Sequence, residues 1–293
     1  EFCTFIQLLL IFLEIVIYLL CFAIGGPLNV ICFGRSFRMY EKNRKYQNHI
    51  LLLRLHLNIA DLLTIFIYTP TQIIWMATFQ WYGGDVLCRI CKFFHTFNFY
   101  LNSFVIAVMA IDRAQGTYRI NDIKASKLAF RCVKYMLAFS YIAATIFSMP
   151  QVFIFRVFQP NESVEFRQVL QVLRLEKMYN ITHLLLIFWI PTAIITFSYI
   201  FVIYKLNSMK RKNRQNCTEI PFPIGYIAKR QAAMILIAYL ALWSPYNILA
   251  MMNTLAIPSE NHAVLMDTLH FLNALIVVNP VVNPLIYGLF QRN

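Results

Sequence analysis

Five polar side chains that could hold a small cation fall inside apolar runs of this chain: Asn29, Asp61, Asn102, Asn279 and Asn283. Asp61 is the costly one. It stands in the middle of LHLNIADLLTIFIYTP, residues 55–70, and an acidic residue at the centre of a membrane helix costs about 2.5–3.5 kcal/mol. A lone asparagine in such a run is most often glue between helices. Several at corresponding depth around an acid read instead as its partners. Asn279 and Asn283 lie one turn apart in NPVVNPLIY. Pro280 and Pro284 each remove a backbone N–H, and the carbonyls they free need donors of their own. An acid ringed by amides and loosened backbone makes a hydrated pocket, so Asp61 is read as the ligand of a sodium ion. No other cofactor is expected. His56 and His183 lack metal-ligand spacing, the seven cysteines form no metal motif, and His49, at a loop end, reads as solvated.

A second group suits a conformational switch. Arg113 follows Asp112 in AIDRAQG, where an apolar run gives way to a basic loop. The bland reading is a cationic anchor at the membrane face. The sharper one is an arginine held by one partner and released to others, with Tyr199 and Tyr287 as the receiving hydroxyls. Trp243 sits just before Pro245 in LWSPYN. Proline kinks a helix, and a bulky ring beneath the kink can turn a push at one end into a swing at the other. Pro191 in FWIP marks a similar break.

The elements that must position these residues follow from composition. Of 293 residues, 59% are hydrophobic and 13% charged, and mean hydropathy is +0.59. Soluble domains carry roughly 25% charged residues, so the chain belongs in lipid. Seven runs reach the roughly 20 residues needed to span a bilayer: 5–37, 48–77, 87–118, 128–152, 178–209, 226–256 and 262–290. The expectation is an all-α membrane protein, a seven-transmembrane helix bundle forming a single domain over 1–293. The first run is too long for a signal peptide and is followed by basic residues. The net charge of +13 suggests no nucleic-acid partner, because the basic residues lie in short loops between spans. Those loops hold Arg35, Arg38, Lys42, Arg44 and Lys45, then Arg119, Lys124 and Lys127, then Lys205, Lys210, Arg211, Lys212, Arg214, Lys229 and Arg230. The positive-inside rule puts the N-terminus outside and the C-terminus in the cytoplasm. Glycosylation sequons at Asn161 and Asn180 fall on the outer side, the second at the membrane edge; the one at Asn216 falls inside and should be silent.

Asp61, the Asp112–Arg113 pair, Trp243–Pro245 and Asn283–Pro284–Tyr287, in order across four spans, resemble the rhodopsin-like (class A) G-protein-coupled receptors. Asn29 and Pro191 match two further spans. FQWYGGDVLC (79–88), PQVFIFRV (150–157), WSPYNILAM (243–251) and NPLIYGLF (283–290) are similar to the gonadotropin-releasing-hormone and adipokinetic-hormone receptor branch. The resemblance implies a multi-pass, glycosylated plasma-membrane receptor and no enzyme. It implies an extracellular short peptide as ligand and a heterotrimeric G protein, commonly of the Gq class, at the basic loops. By position it implies a pocket with Trp75, His95 and Tyr246 as anchors and Gln72, Asn247, Asn253 and His270 tuning specificity.

The chain also departs from the pattern. Gln72 stands where the branch often has an acid, His95 where it has a base, Ala114 where the third residue of Asp-Arg-Tyr is expected, and Tyr141 where span four carries tryptophan. These departures leave room for an alternative of the same fold: a chemosensory receptor for a small molecule or pheromone. A channel or transporter would need inverted repeats or broken half-helices, which the sequence does not show. Lipid is a partner throughout, and receptor dimerisation stays open. The family ties Cys88 to a cysteine in the second outer loop, but 151–180 holds none. Cys91 is too near along the helix for disulfide geometry. Cys88 is therefore expected as a free thiol, with Cys3 as the minor alternative partner.

Overall fold

A computed structural model describes residues 2–43, 48–78, 81–118, 125–154, 177–216, 223–255 and 262–289. Seven helical stretches account for almost all of them: α1 (Phe2–Lys42), α2 (His49–Thr78), α3 (Gly84–Tyr118), α4 (Ala125–Ser148, with a further turn Pro150–Ile154), α5 (177–216), α6 (Pro223–Leu255) and α7 (His262–Leu289). Among the described residues there is no strand. Six helices are long and apolar enough to cross a membrane, and the described part of α7 adds the apolar stretch Phe271–Ile286. The all-α reading and its seven runs therefore stand.

The packing is inside-out relative to a soluble domain. Leu8, Phe12, Leu20, Ile74, Phe139, Ile146 and Phe197 point outward, while Asn29, Asn58, Asp61, Asn98, Asn102, Asn279 and Asn283 are buried. In lipid the apolar faces already have a good solvent, so helices associate through close packing and internal polar contacts. The central element is α3, which touches α2, α4, α5 and α6. The ring closes where α1 packs on α2 and α7, and α7 on α6. At Gly25 a Cβ would come within 2.9 Å of Val281 and 3.0 Å of Ile65, so glycine there sets the approach of α1 to α7.

Among the described residues two helices carry a π turn. In α2, residues Thr64–Tyr68 form a π turn, and in α5, Leu185–Trp189 form another. Each lies just before a proline, Pro70 or Pro191, whose missing N–H removes the donor four residues back. The Thr69 hydroxyl donates to the Thr64 carbonyl at 2.9 Å, and the Thr71 hydroxyl lies 2.8 Å from the Ile67 and Tyr68 carbonyls. Threonine hydroxyls thus bond to carbonyls on either side of Phe66, whose own helical donor Pro70 lacks.

Candidate functional site

All seven helices contribute to the wall of one cavity of about 290 Å³ at the end of the bundle opposite the Arg113 end. Of the residues the sequence singled out, Gln72, Trp75, His95, Tyr246 and Asn247 line it. His95 is 8% exposed, with Nε2 2.6 Å from the Thr71 hydroxyl and its ring edge-on to Tyr68 at 4.7 Å. Trp75 is 38% exposed and carries the Lys92 ammonium of α3 4.9 Å from its ring centre. Asn247 Nδ2 donates to the Trp243 carbonyl at 2.8 Å, while its Oδ1 is buried without a donor. Asn253 is half-buried on α6 and is not part of this wall. The side chain of His270 lies outside the described residues. The wall also holds residues that sequence reasoning passed over, chiefly Glu14, Lys92, Gln151 and His183.

Trp243, 1% exposed, also lines the cavity. Its ring meets Phe99 edge-on at 5.7 Å and leans on Tyr239 at 5.0 Å. Beyond Tyr239 comes a polar junction. The Ser103 hydroxyl donates to the Ile187 carbonyl at 2.5 Å and lies 2.8 Å from the Tyr239 hydroxyl, which is itself 3.3 Å from that carbonyl. Pro191 explains the junction: it cannot supply the N–H that a regular helix would give to Ile187. Side chains from α3 and α6 supply donors instead.

Of the four asparagines the sequence grouped with Asp61, two reach it. Asp61 is fully buried, and Asn283 Nδ2 donates to both of its oxygens at 3.1 Å. Asn102 Nδ2 reaches Asp61 Oδ1 at 3.5 Å. Asn29 does something different: its Nδ2 donates to the Gly25 and Pro280 carbonyls, each at 2.8 Å. The Pro280 carbonyl is the one that Pro284 leaves without its helical donor. Asn279 is buried with both side-chain polar atoms unpartnered, and Oδ1 of Asn29, Asn102 and Asn283 also lacks a donor. Buried acceptors without donors fit a small hard cation, which takes oxygen ligands. Among the described residues no three of His, Cys, Asp and Glu come together, so the donor set is one carboxylate plus neutral oxygens, suited to a monovalent ion.

At the other end of α3, Arg113 Nη2 lies 2.8 Å from Asp112 Oδ2. His49 Nε2 lies 3.4 Å from Asp112 Oδ1. This corrects the reading of His49 as solvated: α2 begins there, and the helix start tucks the ring, half-buried, against α3. Arg113 Nε and the Tyr199 hydroxyl are both buried without hydrogen-bond partners. The side chain of Tyr287 lies outside the described residues. Tyr141 meets His56, with its hydroxyl 2.9 Å from Nδ1, so a polar pair joins α2 to α4.

Cys88 has no disulfide partner among the described residues, and neither has Cys91; the side chain of Cys3 lies outside them. The top of α3 is fastened another way. Arg89 pairs with Asp85 at 2.6 Å, and its Nη1 donates to the Val152 carbonyl at the end of α4 at 3.3 Å. Asn161 lies outside the described residues, and Asn180 sits half-buried in the first turns of α5.

The sequence matches the family described as 7 transmembrane receptor (rhodopsin family) over residues 37–287. The chain belongs to that receptor family. Among similar proteins are the G-protein coupled receptor daf-38 of Caenorhabditis elegans, 26% identical over 95% of this chain and 88% of that protein, and two gonadotropin-releasing hormone receptors. The one from Octopus vulgaris is 26% identical over 89% of this chain and 67% of its own length. The one from Homo sapiens is 26% identical over 86% and 79%. The resemblance to the gonadotropin-releasing-hormone branch holds. The receptor is a multi-pass plasma-membrane protein of a non-enzymatic family whose partners are an extracellular ligand and a heterotrimeric G protein. Its cavity, its Trp243 contacts and its Arg113 end lie in that order along the bundle.

Proposed function

We propose that the receptor answers a short neuropeptide of the gonadotropin-releasing-hormone or adipokinetic-hormone type and signals through a Gq-class G protein. The N-terminus faces outside and the C-terminus the cytoplasm. The observation that carries the reading is the cavity walled by Gln72, Trp75, His95, Tyr246 and Asn247 and reaching Trp243. Aromatic walls give contact area at low entropy cost, and the polar groups fix orientation. A ligand that presses on Trp243 moves Tyr239 and the α5–α6 contact at Ile187. The Arg113 end then opens, and Arg113 exchanges Asp112 for the hydroxyls of Tyr199 and Tyr287. Asp61 and its amides hold a sodium ion in the resting arrangement. That ion would supply the positive charge that the cluster of unpartnered oxygens lacks.

One observation favours the second reading, a small-molecule ligand. About 290 Å³ is at the lower edge of the 300–1,000 Å³ typical of ligand pockets, enough for a small molecule or for one end of a peptide. Cells expressing the receptor are challenged with amidated peptides and with small volatile and steroidal molecules, and calcium and cyclic AMP are recorded. A calcium response to a peptide supports the first reading. A response confined to small molecules replaces it with the second.

A further inference from the structure

Glu14 lies on α1 in the stretch LEIVIY, flanked by apolar residues on both sides. Lipid-facing neighbours such as Phe12 and Leu13 are 63% and 41% exposed, but Glu14 is 3% exposed and turned into the ligand cavity. Among the described residues its one hydrogen bond comes from the Tyr18 hydroxyl, one turn along, to Oε1 at 3.1 Å. A carboxylate has about four acceptor positions, so most of its capacity is unused. Glu14 stands 15 residues from Asn29, about 22 Å along the helix, so it plays no part in the Asp61 cluster.

A structural role explains this poorly. An acid kept merely to pack α1 would be an expensive choice in a membrane helix, and such residues normally face a partner or a water-filled path. Here the described walls offer Glu14 one hydroxyl and an open cavity. The other titratable groups on the described cavity wall are Tyr68 and Tyr246, Lys92, beside Trp75, His95, held by Thr71, and His183, bonded to the Tyr100 hydroxyl at 2.9 Å. Glu14 is the one carboxylate on the described wall. A second acceptor points the same way: Asn247, 1% exposed, lines the cavity with Oδ1 unpartnered. Two buried, under-used acceptors in one cavity call for a ligand that brings N–H donors, and the carboxylate calls for a positive charge.

We propose that Glu14 is the specificity determinant for a cationic nitrogen, an ammonium or guanidinium, on the ligand, and that Asn247 Oδ1 accepts a further N–H from it. The inference rests on this cavity being the ligand site, and it deepens that reading by naming the ligand's charge. It holds whether the cation is a peptide side chain or a small amine. The departures at Gln72 and His95 then fit together: the acid absent from α2 is supplied from α1.

The test uses the purified receptor in lipid nanodiscs and two probes of equal shape, phenethylguanidine and its neutral isostere phenethylurea. Binding is read as the shift in melting temperature against probe concentration. The guanidine should stabilise the wild type with a half-saturating concentration at least tenfold below that of the urea. E14Q should erase that advantage, and E14D should restore most of it. Equal action of the two probes on the wild type overturns the proposal without any variant, so a poorly folding E14Q does not block the answer. So does a guanidine advantage that survives intact in E14Q. If Glu14-dependent binding is found while no peptide evokes a signal, the peptide reading falls and this one stands.

Discussion

Removing the two hydroxyls that serve the Ile187 carbonyl, singly and together, should give a non-additive loss of stability. Tyr239→Phe keeps the ring between Trp243, 5.0 Å away, and Phe188, 6.3 Å away. Only the hydroxyl goes, and Ser103 still donates to the carbonyl. The expected cost is that of one net hydrogen bond, about 0.5–1.5 kcal/mol. Ser103→Ala leaves the Tyr239 hydroxyl 3.3 Å from the carbonyl, free to donate to it, at a similar cost. The double variant removes both side-chain donors. Because Pro191 cannot replace them, an orphaned buried acceptor remains, which costs about 1–3 kcal/mol. The double variant should therefore lose about 1 kcal/mol more than the sum of the singles. Unfolding equilibria of the purified receptor in nanodiscs measure this cycle. Additive losses would show that the carbonyl finds another donor and that the junction does not depend on these hydroxyls.

Asp61→Asn keeps the size and removes the charge; sodium should then no longer weaken agonist binding, and signalling should fall, whereas an unchanged sodium response would remove the ion from the account. Arg113→Ala should abolish G-protein activation at equal surface expression while leaving ligand affinity within about twofold, because Arg113 lies about 27 Å along α3 from His95; normal coupling would contradict its role as a switch. Alkylation of intact cells followed by peptide mass spectrometry should recover Cys88 mainly as the modified thiol, and its recovery in a disulfide would show that a cysteine outside the described residues reaches it.

Much of this was legible because lipid makes polarity informative. Asp61, Asn102 and Asn283 stood out against hydrocarbon, and the structure joins them. Asn29 stood out for the same reason but serves the carbonyl freed by Pro284, since polarity marks a residue without naming its partner. Glu14 offered the same signal as Asp61, an acid in an apolar run, and was passed over because it completes no motif and the cavity it faces is walled by the other helices. Ser103 and Tyr239 gave no signal: a hydroxyl in a span is common, and their contact joins positions 136 residues apart. The π turns were equally hidden, because one extra residue in a turn leaves no mark on composition or on span length. His49 was misread because loop and helix start are hard to separate by sequence, and its cap, Asn48, accepts from the Ile50 and Leu51 N–H groups only in the folded helix.

Those π turns separate the two halves of their helices. In α2, Asp61 precedes the turn and Gln72 and Trp75 follow it; in α5, His183 precedes and Tyr199 follows. Losing one residue from such a turn would restore regular winding and rotate everything beyond it by about 100° relative to the other half. A single-codon deletion would thus present a new set of side chains to the cavity while the Asp61 cluster and the arginine end kept their register. The turns act as verniers: chemical preference can be re-dialled in lineages of this receptor without rebuilding the machinery that reports it.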